Sequence, residues 1–233
     1  MKPIELNGIR VYPFRNFDEI IDFAESNIRP LVAVNAEKIL HATPQTRALI
    51  NAGTGYADGM GAVMALRQHG CSEAVKLPGC ELWLKIVERF AGEGKSFFLV
   101  GSKPEVIEAT VEKLRREYPG IRIAGYRDGY IRSDDERRRL IADIAAKRPD
   151  AVFVAMGSPK QELLIADMLA VRPAVYMGLG GSFDVYVGAV RRAPRWWVDH
   201  GLEWAYRLLC QPSRIRRQIH LIRFLYLLKT GRI

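Results

Sequence analysis

The side chains best suited to chemistry are few, and two of them are carboxylates set among glycines. Asp58 stands in Tyr56-Ala57-Asp58-Gly59-Met60-Gly61, with Gly55 just before it. Asp-Gly is a common turn pair, so one reading of this segment is a tight turn. The other is chemical: glycines let a substrate come close to the backbone, and a lone carboxylate there can take a proton from a sugar hydroxyl as a general base. A second segment, Gly178-Leu179-Gly180-Gly181-Ser182-Phe183-Asp184, follows an apolar run. It reads either as a strand-to-helix turn or as a cradle for phosphate or ribose, although it matches neither G-x-G-x-x-G nor a Walker loop. Asp184 has the hydrogen-bonding chemistry that ribose hydroxyls need. The chain has no Asp-x-Asp pair, the device by which many nucleotide-sugar enzymes hold a cation on a diphosphate. Helix N-termini and planar arginine forks are then the groups available to offset leaving-group charge.

These residues need a scaffold, and the patterning supplies one. Apolar runs at Leu31–Val34, Ser96–Val100, Ile121–Ala124, Ala151–Ala155 and Ala174–Gly178 predict strands. Phe17–Ser26, Cys80–Ala91, Pro104–Glu117, Asp134–Lys147 and Lys160–Leu169 place apolar residues three and four apart and predict helices. The alternation predicts an α/β fold, a Rossmann-like, largely parallel sheet with helices on both faces. Ser102 or Lys103 before Pro104, and Ser158 before Pro159, read as helix caps with proline at the first helical position. Both follow a strand, so their free N–H groups belong at the carboxyl edge of the sheet, where open α/β folds bind ligands.

Composition narrows the field further. With 233 residues and 48% hydrophobic content the chain can build a real core. It contains no apolar stretch long enough to span a bilayer, and its N-terminus lacks the apolar region of a secretory signal, so a cytoplasmic location is expected. Cys71, Cys80 and Cys210 form no C-x-x-C pair, and His41, His69, His200 and His220 show no metal-site spacing. No metal or cofactor is expected.

Charge is unevenly distributed. Residues 191–233 hold ten Arg/Lys against Asp199 and Glu203, which accounts for nearly all of the +9 formal charge. We therefore read residues 1–190 as the core and 191–233 as a basic helical C-terminal appendage. Its last helix mixes Arg214, Arg216, Arg217, Arg223 and Lys229 with Ile215, Ile219, Ile222, Phe224 and Tyr226. That mixture suits a segment lying on an anionic membrane, and it equally suits a packed terminal helix with a solvated basic face. A basic module for nucleic acid would explain the tail but not the glycine-rich carboxylate loops, and RNA-binding aromatic signatures are missing.

Taken together, the segments Val34–Lys38, Tyr56–Gly59, Pro78–Trp83, Phe98–Glu105, Arg127–Tyr130, Val154–Glu162, Gly178–Asp184, Arg191–Pro194 and Leu202–Gln218 resemble, in order, the blocks of the WecG/TagA/CpsF glycosyltransferases. The tail and the Val-Ala-Met-Gly-Ser-Pro-Lys-Gln-Glu block look closest to the WecG branch. The resemblance implies an inverting, metal-independent hexosyltransferase that moves N-acetylmannosaminuronic acid from its UDP donor to undecaprenyl-diphosphate-GlcNAc, in assembly of enterobacterial common antigen. UDP-N-acetylmannosamine or UDP-glucose, for teichoic acid, capsule or exopolysaccharide, is the alternative donor. It implies Asp58 as catalytic base with Asn35 in the same pocket, Tyr130 and Asp184 on uridine, and Gln161 lining the donor site. Arg207, Arg214 and Arg217 would close over the diphosphate. Lys76 stands where relatives often carry Arg, which keeps the charge but not the bidentate fork. The resemblance further implies peripheral attachment to the inner face of the plasma membrane and a homo-oligomer.

Overall fold

The structure is a computed structural model that describes residues 1–190, 194, 196–197, 205–206 and 215–233, with side chains of the last segment described from Ile222 onward. The chain opens with a hairpin, β1 (Ile4–Leu6) and β2 (Ile9–Val11), in which Leu6 pairs with Ile9 across a two-residue turn. Asn7 and Gly8 both take positive φ, as such turns require. Next come α1 (Phe17–Ser26), β3 (Leu31–Val34), α2 (Ala36–His41), α3 (Pro44–Ala52), β4 (Thr54–Ala57), α4 (Met60–Gln68), α5 (Gly79–Gly92) and β5 (Ser96–Gly101). They are followed by α6 (Pro104–Glu117), β6 (Arg122–Arg127), α7 (Asp134–Lys147), β7 (Ala151–Ala155), α8 (Lys160–Val171), β8 (Val175–Gly178) and α9 (Ser182–Tyr186), and then by the C-terminal helix Ile215–Lys229.

Six strands form one parallel sheet in the order β4-β3-β8-β7-β5-β6. Its two faces are both covered, which explains why the strands read as continuous apolar runs rather than alternating ones. Phe97, Leu99 and Phe153 pack under α1, α5, α6 and α9, whereas Phe98, Val100, Val152 and Val154 pack under α7 and α8. Val32, Val34 and Ala57 meet α2, α4 and the C-terminal helix on that second face. The α/β architecture expected from the patterning is the one observed.

Three details depart from expectation. Strand β4 and helices α2, α3, α4 and α9 were not anticipated; the first is four residues with a glycine inside it. Ser158 does not cap α8: that helix starts at Lys160 with Pro159 at its cap position and no side-chain cap bond. At α6 Lys103, one of the two residues expected there, holds the cap position before Pro104, but it makes no side-chain cap bond. Gly101 at φ +126 and Ser102 at φ +55 turn the backbone so that the Ser102 hydroxyl faces the loop after β8 instead. A Cβ at Gly101 would collide with the Ala155 backbone of the neighbouring strand, so only glycine permits this turn.

The C-terminal helix lies across α2 and α4. Phe224 and Leu228 are buried in the core there, and Gln68 Nε2 donates to the Leu228 carbonyl at 2.7 Å. Gly61 makes room for it: a Cβ would stand 2.9 Å from Ala36 Cβ and 3.2 Å from the Phe224 ring. The boundary expected at Arg191 falls on residues outside those described. Among the described residues no helix is long and apolar enough to cross a membrane.

Candidate functional site

Every candidate residue of the core comes to the carboxyl edge of the sheet or to the turns just beyond it. From β5 the chain runs outward to β6, and from β7 it runs the other way to β8, so the connections diverge between β5 and β7. At such a divergence a crevice opens outside the strand ends. Here it is a cavity of ≈500 Å³ lined by Ser102 and Lys103 after β5, Tyr130 after β6, Met156 and Lys160 after β7, and Gly180 and Asp184 after β8.

The cavity wall is held by few, specific contacts. Ser102 Oγ donates to Asp184 Oδ2 at 2.9 Å, tying the β5 and β8 loops together. The other Asp184 oxygen has no hydrogen-bond partner among the described residues and remains available for a ligand. Phe183, next to it, is fixed by Trp83, whose ring meets Phe153, Phe183 and Tyr186 edge-to-face at 5.6, 5.5 and 5.1 Å. Tyr130 is 49% exposed, its N–H donates to Asp128 Oδ1 and Arg132 sits over its ring. A half-exposed aromatic at the rim suits stacking on a flat ring. Lys103 and Lys160 have no carboxylate partner among the described residues, whereas Arg137 pairs with Asp167 and Arg127 with Glu136. The Arg132 backbone N–H, followed by the Arg127 and Arg132 charges, outweighs burial and holds the Glu136 carboxyl below its ordinary range.

Gln161 is placed differently from a simple lining residue. It is 5% exposed, and its Oε1 accepts from the Gly157 and Gly180 N–H groups at 3.1 and 3.0 Å. It therefore sits behind the cavity and clasps the loops after β7 and β8. Gly178 is what admits it, because a Cβ there would collide with the Gln161 amide.

Asp58 lies at the far end of the same edge, on the turn between β4 and α4. Its Oδ1 accepts the Gly79 N–H at 2.6 Å. Gly79 begins the 14-residue helix α5, whose own cap position, Pro78, offers no side-chain cap. Asp58 thus caps a helix twenty-one residues away in sequence, and the positive end of α5 faces its carboxylate. Leu77 N–H donates to the Ala57 carbonyl, which brings Lys76 alongside the same turn. Tyr56, just before, is wholly buried, and its hydroxyl has no hydrogen-bond partner among the described residues. Burial first, then the charges of Asp58 and Cys80, hold that phenol well above its ordinary value, so it stays protonated.

Asn35 follows β3, the strand beside β4. Its Oδ1 caps α2 by accepting the Lys38 N–H at 3.0 Å, which leaves the amide Nδ2 without a partner among the described residues. Arg207 and Arg214 lie outside the described residues, and of the Arg217 side chain nothing is described. Residue patterns placed Ser102 and Lys103 at the ligand-binding edge as a helix start but did not point to Gly79, for which the Pro-Gly pair opening α5 was the available signal. Among the described residues no group of three or more His, Cys, Asp or Glu could hold a metal ion.

An open parallel sheet with a cavity at its switch point, lined in part by Lys103, Lys160 and Asp184, defines an α/β protein with the crevice at which open α/β folds bind their ligands. The comparison with known families agrees and goes further. The model of the glycosyl transferase WecG/TagA/CpsF family matches residues 6–232, and the chain belongs to that family. It is a glycosyltransferase.

Proposed function

We propose that this glycosyltransferase transfers N-acetylmannosaminuronic acid from UDP to the GlcNAc of an undecaprenyl-diphosphate-linked acceptor, by a single inverting displacement without a metal ion. One observation carries the reading: Asp58, fixed by the Gly79 N–H, shares the carboxyl edge with the ≈500 Å³ cavity at the switch point. In this reading uridine stacks at Tyr130, and Asp184 takes the ribose. The diphosphate then runs over the start of α8 past Lys160, toward β3 and β4. The anomeric carbon arrives near Asp58, which removes the proton of the attacking GlcNAc hydroxyl as that oxygen bonds to carbon and UDP departs. Asn35, through its uncommitted Nδ2, and Lys76 border the reacting sugar.

Lys103 and Lys160 supply positive charge for the diphosphate or for a uronate carboxylate, and Arg207, Arg214 and Arg217 would add to it. The acceptor is lipid-held, so the enzyme must reach a membrane surface. The outer face of the C-terminal helix suits that task, with Ile222 70% and Tyr226 59% exposed beside exposed Arg223 and Lys229. Phe224 on the opposite face anchors the helix over α2, whose cap residue is Asn35. Membrane docking and the site are therefore mechanically joined.

The test is turnover of a lipid-diphosphate-GlcNAc acceptor against UDP-N-acetylmannosaminuronic acid, UDP-N-acetylmannosamine and UDP-glucose, each in EDTA. Product from the uronate donor alone is expected. Preference for either neutral donor would reassign the substrate, and dependence on added cation would overturn the metal-free route.

A further inference from the structure

Between the donor cavity and Asp58 the structure contains a charged tether with no role in the chemistry described so far. Lys38 Nζ, on α2, lies 3.2 Å from Glu162 Oε1, on α8. That same oxygen accepts from Gln161 Nε2 at 3.4 Å, while the Gln161 Oε1 holds the Gly157 and Gly180 N–H groups. The Lys38 backbone N–H, in turn, is the group that fixes the Asn35 side chain. An unbroken chain of polar contacts therefore runs from Asn35, beside Asp58, to the Gly180 loop that leads into Asp184.

Its chemistry explains why an acceptor is needed behind Gln161. An amide side chain can be turned over with little change in shape, exchanging oxygen for NH2. Two backbone N–H groups demand that Gln161 present its oxygen to them, and an acceptor on the opposite side fixes that orientation. Glu162 provides the acceptor. It is only 7% exposed, and its second oxygen is buried with no hydrogen-bond partner among the described residues. A carboxylate so poorly solvated needs a cation, and among the described residues Lys38 pairs with it.

We propose that Lys38 and Glu162 are positioning residues: the pair orients the Gln161 amide and thereby sets the Gly157 and Gly180 loops that form the donor cavity. This rests on the reading of that cavity as the UDP-sugar site. Neither residue touches substrate. Their effect should fall on donor KM, with kcat and acceptor KM little changed.

The decisive variant is K38M/E162M, which replaces the ion pair by apolar side chains of similar volume; Glu162 already shares an apolar pocket with Leu31, Ile165 and Leu169. Such exchanges commonly preserve folding. Donor KM should rise about tenfold, the scale expected when an anchoring hydrogen bond to a charged group is lost. Without any substrate, hydrogen-exchange protection of the Gly157 and Gly180 amides should also fall. E162Q keeps an acceptor oxygen for Gln161 and should hold donor KM and both amides near wild type, which gives a second arm if the double variant folds poorly. Wild-type donor KM and unchanged exchange in K38M/E162M, or an E162Q variant as impaired as the double, would overturn the proposal. If the wild type turns over no UDP-sugar, the functional reading fails, while the exchange measurement still decides whether the pair governs these loops.

Discussion

Asp58→Asn separates the capping role seen in the structure from the general-base role proposed for this residue. As a structural group, Asp58 caps α5 by accepting the Gly79 N–H at 2.6 Å. Asparagine keeps an oxygen in the same place and is as good a capping residue, so the bond survives. What is lost is the charge facing the helix N-terminus, roughly 0.3–1 kcal/mol. The Tm should therefore shift by only a few degrees. As a chemical group, Asp58 loses its ability to take a proton, which for a general base removes about 10²- to 10⁴-fold in rate. Asp58→Ala is the complementary control, since it also deletes the cap and should cost about 1 kcal/mol of stability. Single-turnover transfer to the lipid-diphosphate acceptor, read beside thermal melts of both variants, gives the answer. Wild-type turnover in folded Asp58→Asn would reduce Asp58 to a helix cap and sink the proposed mechanism.

Gly79→Ala would place a Cβ 2.9 Å from the Tyr56 hydroxyl and 3.5 Å from Asp58 Oδ1; turnover should drop at least tenfold, and adding Tyr56→Phe should restore part of it, as a double-mutant cycle of initial rates will show. Phe224→Ala removes the buried anchor of the C-terminal helix, at a cost of about 3–5 kcal/mol; transfer to vesicle-held acceptor should fall further than UDP protection against unfolding, and equal losses would argue against a role for the helix in reaching the lipid. For Asp150, burial alone would raise the carboxyl, but bonds from the Ser96 N–H and Oγ at 2.7 and 2.8 Å and the Arg172 charge bring it below its ordinary range. A folded value below the unfolded one means that its contribution is complete above about pH 4 and is lost as pH falls; Asp150→Asn should flatten the acid limb of Tm against pH, and an unchanged limb would refute the assignment.

The long elements were legible because their signals are redundant. Phe17–Ser26, Pro104–Glu117 and Asp134–Lys147 match their expected bounds, each carrying an apolar stripe together with a cap residue or a proline at its start. Strand β4 was illegible for the opposite reason. Thr-Gly-Tyr-Ala has no alternation, and its place in the sheet is fixed by pairing with β3, a non-local fact. The β1–β2 hairpin did announce itself through Asn7-Gly8 between apolar residues, a signal left unused. At the site, Asp58 and Asp184 stand out as carboxylates among glycines, a pattern that suits a turn as well as a ligand, and Asp58 also caps α5. Gln161 entered only through family resemblance, and its buried clasp on Gly157 and Gly180 is visible only once β7 and β8 lie side by side.

That contrast follows from how the site is assembled. Residues that act on a ligand sit in loops whose composition betrays them, whereas residues that hold those loops are ordinary polar side chains inside helices. Lys38, 124 residues from Glu162, is an unremarkable lysine until α2 and α8 are brought together across the β3–β8 pair. The two ends of the proposed donor path follow widely spaced strands: Asp58 follows the edge strand β4, whereas Tyr130 follows β6 at the other edge, five strand steps away. At about 4.8 Å per step the strands stand roughly 24 Å apart, so both loops must lean inward over the strand ends for one UDP-sugar to reach them. Registration between them must therefore pass through the sheet and through contacts such as the Lys38–Glu162–Gln161 chain. A substitution along that chain should therefore alter donor binding without touching the substrate.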